Sequence, residues 1–147
     1  MAPGFKRLRD SPEVARSVSR AMKGNRANGT KPEVMLREAL WRSGSRGYRK
    51  NYRPLPGFPD LAFLRAKVCV FVHGCFWHGC ERCSLAPPRK NPTYWREKLL
   101  HNKERDLANA EALVERGFRV LVVWECEVRK DPDAVVGRIG ELVGKHL

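Results

Sequence analysis

The chain has 147 residues, with 29 Lys plus Arg against 16 Asp plus Glu, a net charge of +13 and a pI near 10.1. That length suits one compact domain with its own core, and no apolar run approaches the roughly 20 residues of a membrane-spanning helix. So much positive charge on a small domain favours a polyanion, nucleic acid above all. Lipid is disfavoured, because no basic stretch carries a broad apolar face. The basic start, Met1 to Asp10, lacks the apolar centre of a signal peptide, so a cytoplasmic location is expected.

Ser11-Pro12-Glu13 reads as a helix start, and Val14, Val18 and Met22 then fall four apart on one face. Gly24 to Gly29 breaks that pattern. Thr30-Lys31-Pro32-Glu33 has the form of a capping box, and the helix it opens continues from Val34 to Trp41, stopping near Gly44. Tyr48 to Arg53 predicts a short edge strand, and Pro54 to Pro59 a turn. Asp60 to Leu64 and Val68 to Val72 predict two strands joined by the tight turn Arg65-Ala66-Lys67. The second is nearly all apolar, as in a strand buried on both faces.

A loop comes next, then a second loop from Pro87 to Pro92. Thr93 to Arg116 predicts a helix broken once near Asn102 and ended by Gly117. Arg119 to Trp124 reads as another buried strand. Asp131-Pro132 caps a last helix with Val135, Ile139, Leu142 and Val143 on one face. This order predicts a mixed α/β sheet covered by helices.

Four of the five cysteines have the look of one metal site. Cys80 and Cys83 have the two-residue gap with which neighbouring thiolates grip tetrahedral zinc, and Cys75 and Cys126 complete a closed, all-cysteine set. A histidine, His73 or His78, in place of one cysteine is the alternative. A disulfide framework fits less well, because five cysteines leave one over. Cys69, within Val68 to Val72, reads as a core residue.

Asp60, after a turn at the start of a strand, is placed to hold a divalent cation. His73 and His78 lie near the end of the next strand and can meet it there, where an imidazole beside a phosphodiester can move a proton. Glu33 serves the capping box and can still face that site. Asp106 reads as a solvated helix residue. Phe76 and Trp77 are either a small local core or a wedge for the base stack. Lys98, Asn102 and Arg105 fall on one helical face, suited to base edges or phosphates.

Together these segments resemble the very short patch repair endonucleases, the Vsr-type nicking enzymes. The matching pieces are Thr30 to Glu33, Pro59-Asp60, Val70 to His78, Tyr94 to Lys98, Asn102 to Asp106 and Val122 to Cys126. They are collinear from about Ser17 to the C-terminal helix. The resemblance implies a restriction-endonuclease-like mixed sheet flanked by helices, with a basic arm and helix start over residues 1–16 and one nuclease domain over 17–147. It implies one structural Zn2+ and two catalytic Mg2+, the latter held by Asp60 and the main chain of Val72, with His73, His78 and Glu33 around them and Asp106 in support.

The resemblance further implies that Phe76 and Trp77 intercalate beside a T·G mismatch in double-stranded DNA and that Met22 wedges from the N-terminal helix. Lys98 and Asn102 are the expected contacts to the bases. The implied setting is a nucleoid-associated monomer linked to a cytosine-5 DNA methyltransferase. A nickase of restriction or defence systems, and a zinc-stabilised DNA-binding module without cleavage, are the alternatives.

Overall fold

The computed structural model describes residues 29–78, 80–81, 83 and 89–144. The expected helix over Val14, Val18 and Met22 lies outside them. Helix α1 (Lys31–Ser43) begins where the capping box predicts: the backbone N–H of Thr30 donates to Glu33 Oε2 at 2.8 Å. It ends at Gly44, whose φ of +88° only glycine adopts without strain. The strands are β1 (Arg49–Lys50), β2 (Leu61–Phe63), β3 (Val68–His73) and β4 (Arg119–Trp124), in the spatial order β1-β2-β3-β4. β1, β2 and β3 form an antiparallel set, and β4 joins β3 in parallel. Between β3 and β4 the chain makes the short helix α2 (Cys75–His78) and the long helix α3 (Pro92–Glu115). After β4 come α4 (Glu125–Lys130) and α5 (Pro132–Val143).

One face of the sheet carries the main core. Leu61, Phe63, Val68, Val70 and Val123 pack there with Leu36 and Leu40 of α1 and Val135, Ile139 and Val143 of α5. α5 is capped as expected, with Asp131 Oδ1 accepting from the N–H of Ala134 at 3.1 Å. The other face holds Ala62, Cys69 and Leu113, so α3 covers it.

Three expectations need correction. α3 is not broken near Asn102; it runs unbroken for 24 residues, because the Asn102 amide bonds outside the helix and leaves its own backbone ladder intact. β4 is not a fully buried strand. It stands at the edge of the sheet, Arg119 is exposed, and among its residues only Val123 is buried. The chain after β4 turns at once into α4, which the sequence pattern did not predict, so Cys126 sits in a first helical turn and not at a bare strand end.

The β3–β4 register brings the polar residues of three segments to one edge. His73 pairs with Trp124 at the last rung, and Cys75 and Cys126 each lie two residues beyond it. Parallel strands release their chains at the same edge, so both cysteines are delivered to one place. β2 enters antiparallel to β3, with Leu61 opposite Val70, which brings Asp60 to that same end. The C-terminal edge of a parallel pair is where open α/β sheets place their ligands.

Candidate active site

A broad groove opens at this edge, and Glu33, Asp60, His73, His78 and Asp106 all line it. The first two form an acidic pair. Glu33 is 4% exposed, and its side chain is shared between the Thr30 cap and a hydrogen bond to Asp60. Asp60 Oδ2 accepts from the backbone N–H of Val72 at 2.7 Å. Burial, and after it the Glu33 side chain, raises the Asp60 pKa to about 8, against the Val72 N–H and the charge of Arg37. Two carboxyls held together with so little cationic compensation have the donor chemistry of a divalent-cation site.

The second group is His73, His78 and Asp106, whose ligand-capable atoms lie within 4.8 Å of one another. His78 Nδ1 and Asp106 Oδ2 are 2.5 Å apart. Burial acts to raise the Asp106 pKa, but the bond and charge of His78, with His73 and Arg105, outweigh it and hold the carboxyl below its ordinary value. An ionised Asp106 accepts, which places a proton on His78 Nδ1 and leaves Nε2 as the nitrogen without this partner. Asp106 is therefore a partner of His78 and not a merely solvated helix residue.

His73 stacks on the His78 ring, with centroids 3.9 Å apart, and meets the Trp124 ring edge-on at 5.3 Å. Burial, then His78, pushes its pKa down to about 4, so it stays neutral at ordinary pH. Trp124 was not singled out in the sequence. Its signal lay in the pairing of strands, since it is the partner of His73 across the last β3–β4 rung.

Beside the groove, Cys75, Cys80, Cys83 and Cys126 bring their sulfurs within 4.8 Å of one another, and Cys80 and Cys126 are 3.8 Å apart. Zinc with four thiolates at about 2.3 Å places sulfurs roughly 3.8 Å from each other, so the set fits a tetrahedral ion. Burial, with the crowding of the other thiols, holds the Cys75 thiol well above its ordinary pKa, the condition a cation relieves. Cys69 stays apart, fully buried in β3.

Phe76 and Trp77 lie on α2, and both face the groove. They are half-buried and rest on Tyr94 and Trp95 of α3, with Trp95 5.5 Å from Phe76 and 5.7 Å from Trp77 between ring centroids. The pair thus has a local core beneath it and an open side.

Asn102 does not share an exposed face with Lys98 and Arg105 in this structure. It is 3% exposed, because its Nδ2 turns inward and donates to the carbonyl of Trp77 at 2.9 Å. Arg105 is exposed and Lys98 half-buried. Asn102→Ala is therefore expected to loosen α2, at a cost of about 1 kcal/mol for the lost, partly buried hydrogen bond. Chemical denaturation checks it, and an unchanged midpoint would mean that the tie carries no stability. Met22 lies outside the described residues.

An acidic pair and a carboxylate-backed histidine share one groove of a very basic protein, an arrangement suited to a phosphodiester substrate. A family model described as DNA mismatch endonuclease Vsr matches residues 13–84. The Type II nicking enzyme V.XorIIP of Xanthomonas oryzae pv. oryzae is 38% identical over 134 residues, covering 90% of this chain and 94% of that protein. V.NmeAIP of Neisseria meningitidis serogroup A, also a Type II nicking enzyme, is 45% identical over 102 residues, or 68% of this chain and 71% of the relative. The DNA mismatch endonuclease Vsr of Escherichia coli K12 is 39% identical over 82 residues, 56% of this chain and 53% of that one. The chain belongs to the Vsr family of endonucleases and is an endodeoxyribonuclease.

Proposed function

We propose that the protein nicks one strand of double-stranded DNA 5′ to the thymine of a T·G mismatch, as a monomer acting alongside a cytosine-5 DNA methyltransferase. The architecture reads as restriction-endonuclease-like. The observation that carries the reading is the convergence of Glu33–Asp60 and His73–His78–Asp106 on one groove, beside an aromatic pair with an open side.

Asp60, with the Val72 carbonyl and with Glu33 in support, would hold Mg2+, which when bound neutralises charge on the phosphate and lowers the pKa of water. The remaining steps belong to the chain itself. Asp106 orients His78 through Nδ1, so in the neutral ring Nε2 is the nitrogen that can take a proton from water. His73, kept neutral and wedged between His78 and Trp124, donates one hydrogen bond to a phosphate oxygen without adding charge. Cys75, Cys80, Cys83 and Cys126 would hold Zn2+ in a closed set with no place for substrate, a structural role. Lys98 and Arg105 supply cationic contacts to the duplex.

Phe76 and Trp77 supply the preference for a mismatch. Unstacking costs less where pairing is already weak, so a rigid wedge favours T·G over a matched pair. The test is nicking of matched and T·G duplexes with magnesium, by wild type and by Phe76→Ala/Trp77→Ala. The wild type is expected to prefer T·G, and the double variant to lose at least roughly tenfold of that preference. Equal cutting of both duplexes by the wild type would remove the mismatch reading.

A second reading has its own support: several relatives bear the name Type II nicking enzyme. It makes the protein a companion of a restriction–modification system, with a sequence preference set by that system. Varying the sequence around the T·G pair in the same assay separates it from a general repair nickase.

A further inference from the structure

Phe58 is exposed to 59% of its surface and lines the same groove as Asp60, only two residues away. Its backbone is in the left-handed region, with φ +50°. For a bulky residue that conformation is a genuine outlier, and strain of this kind gathers where a side chain must be presented to a ligand. The other non-glycine residues with positive φ, among the described residues, are Asn51, Lys67 and Asn91. Asparagine tolerates the region, and Lys67 closes a tight turn onto β4, its carbonyl accepting from the N–H of Arg119 at 2.8 Å. Phe58 also closes a tight turn, but it is the bulky aromatic of the set, and its ring is exposed at the groove.

The turn that carries it is fixed on three sides. The N–H of Phe58 donates to the carbonyl of Leu55 at 3.1 Å, and Leu55 is buried. Gly57, at φ +78°, lies so close to α3 and β3 that an added Cβ would stand 3.1 Å from both Asn109 and Phe71. The N–H of Tyr52 donates to the carbonyl of Pro59 at 3.0 Å. The backbone that presents the ring is therefore held in place. The guanidinium of Arg53, itself exposed, stands 6.0 Å from its centroid. An apolar ring beside an exposed cation, at the mouth of an acidic groove, matches a nucleotide: a flat face for the base and a positive charge for its phosphate.

We propose that Phe58 is a DNA-contacting residue that stacks on one nucleobase at the mouth of the groove, with Arg53 on the adjoining phosphate, and so sets which nucleotide's phosphate reaches Asp60. This rests on the reading of the groove as the site of DNA cleavage. Stacking is tolerant of base identity, so the contact positions the strand and does not read its sequence.

Phe58→Gly separates this role from a structural one. Glycine relieves the positive φ, so the melting temperature is expected to stay level or rise while affinity for duplex falls roughly tenfold. Phe58→Trp is expected to retain affinity, and Arg53→Ala to lower the salt dependence of binding. An abasic scan of the duplex adds a second readout. At one position, removing the base should weaken the wild type but leave Phe58→Gly unaffected.

Wild-type protein that fails to nick any duplex would overturn the reading of the groove itself. Wild-type nicking combined with unchanged affinity in Phe58→Gly would overturn only the proposal. A fall in melting temperature accompanying the lost affinity would do so too, by making the ring structural, and so would an abasic scan with no masking position.

Discussion

Asp60→Ala is expected to reduce nicking at least roughly a thousandfold while leaving duplex binding measurable. Affinity in a chain of net charge +13 comes mainly from phosphate contacts spread over many basic residues. Catalysis on a phosphodiester depends instead on a few groups that stabilise charge at the reacting atoms, and each tenfold in rate is about 1.4 kcal/mol. Asp60 occupies the point where the end of β3, the start of β2 and the first turn of α1 meet, bonded to Val72 and Glu33 at once. Nicking by the variant at near wild-type rate, read on supercoiled plasmid, would remove Asp60 from the site.

The same carboxyl gives a pH signature. Without a cation the Asp60 pKa lies near 8 in the fold, against 3.8 for the ordinary group. Between those values the folded protein holds a proton that the unfolded chain has lost. The associated stability is therefore present at low pH and lost as pH rises through about 8. A divalent cation that takes the proton's place offsets that loss. The rise in melting temperature produced by Mg2+ should accordingly grow from about pH 5 to about pH 8, and shrink in Asp60→Asn.

Local signals made much of the architecture readable. The Thr30–Glu33 box, the Asp131 cap and the Gly44 stop each act over three or four residues, and each appears where the sequence places it. The cysteine cluster was readable because Cys75, Cys80 and Cys83 lie close together in the chain and Cys126 follows a predicted strand. From spacing alone Asp106 and Asn102 were not, because their partners, His78 and Trp77, are 28 and 25 residues away; only the family resemblance brought Asp106 to the site. Helical spacing groups Asn102 with Lys98 and Arg105, but tertiary contact with α2 turns its amide inward. Phe58 was hidden differently. Proline and glycine around it announce a turn, and nothing local says that the turn presents a ring to the groove.

Loss of the cysteine cluster is expected to have the largest effect on stability. Cys75 opens α2, Cys126 lies in the first turn of α4, and Cys80 and Cys83 belong to the segment between α2 and α3. A single ion there would join three stretches of chain, and structural zinc contributes folding energy directly. Metal analysis is expected to find one zinc per chain with reduced thiols. Cys126→Ser should lower the melting temperature by roughly 10 °C, the shift produced by a few kcal/mol in a domain of this size. Chelation should do the same to wild type, with recovery on adding Zn2+ and none on adding Mg2+. Because α2 carries Phe76, Trp77 and His78, the damage should reach the groove. Mismatch preference and nicking should fall together in Cys126→Ser, whereas Cys69→Ser, outside the cluster, should leave zinc content unchanged. Full zinc loading in Cys126→Ser, or no zinc in wild type, would end the four-cysteine assignment.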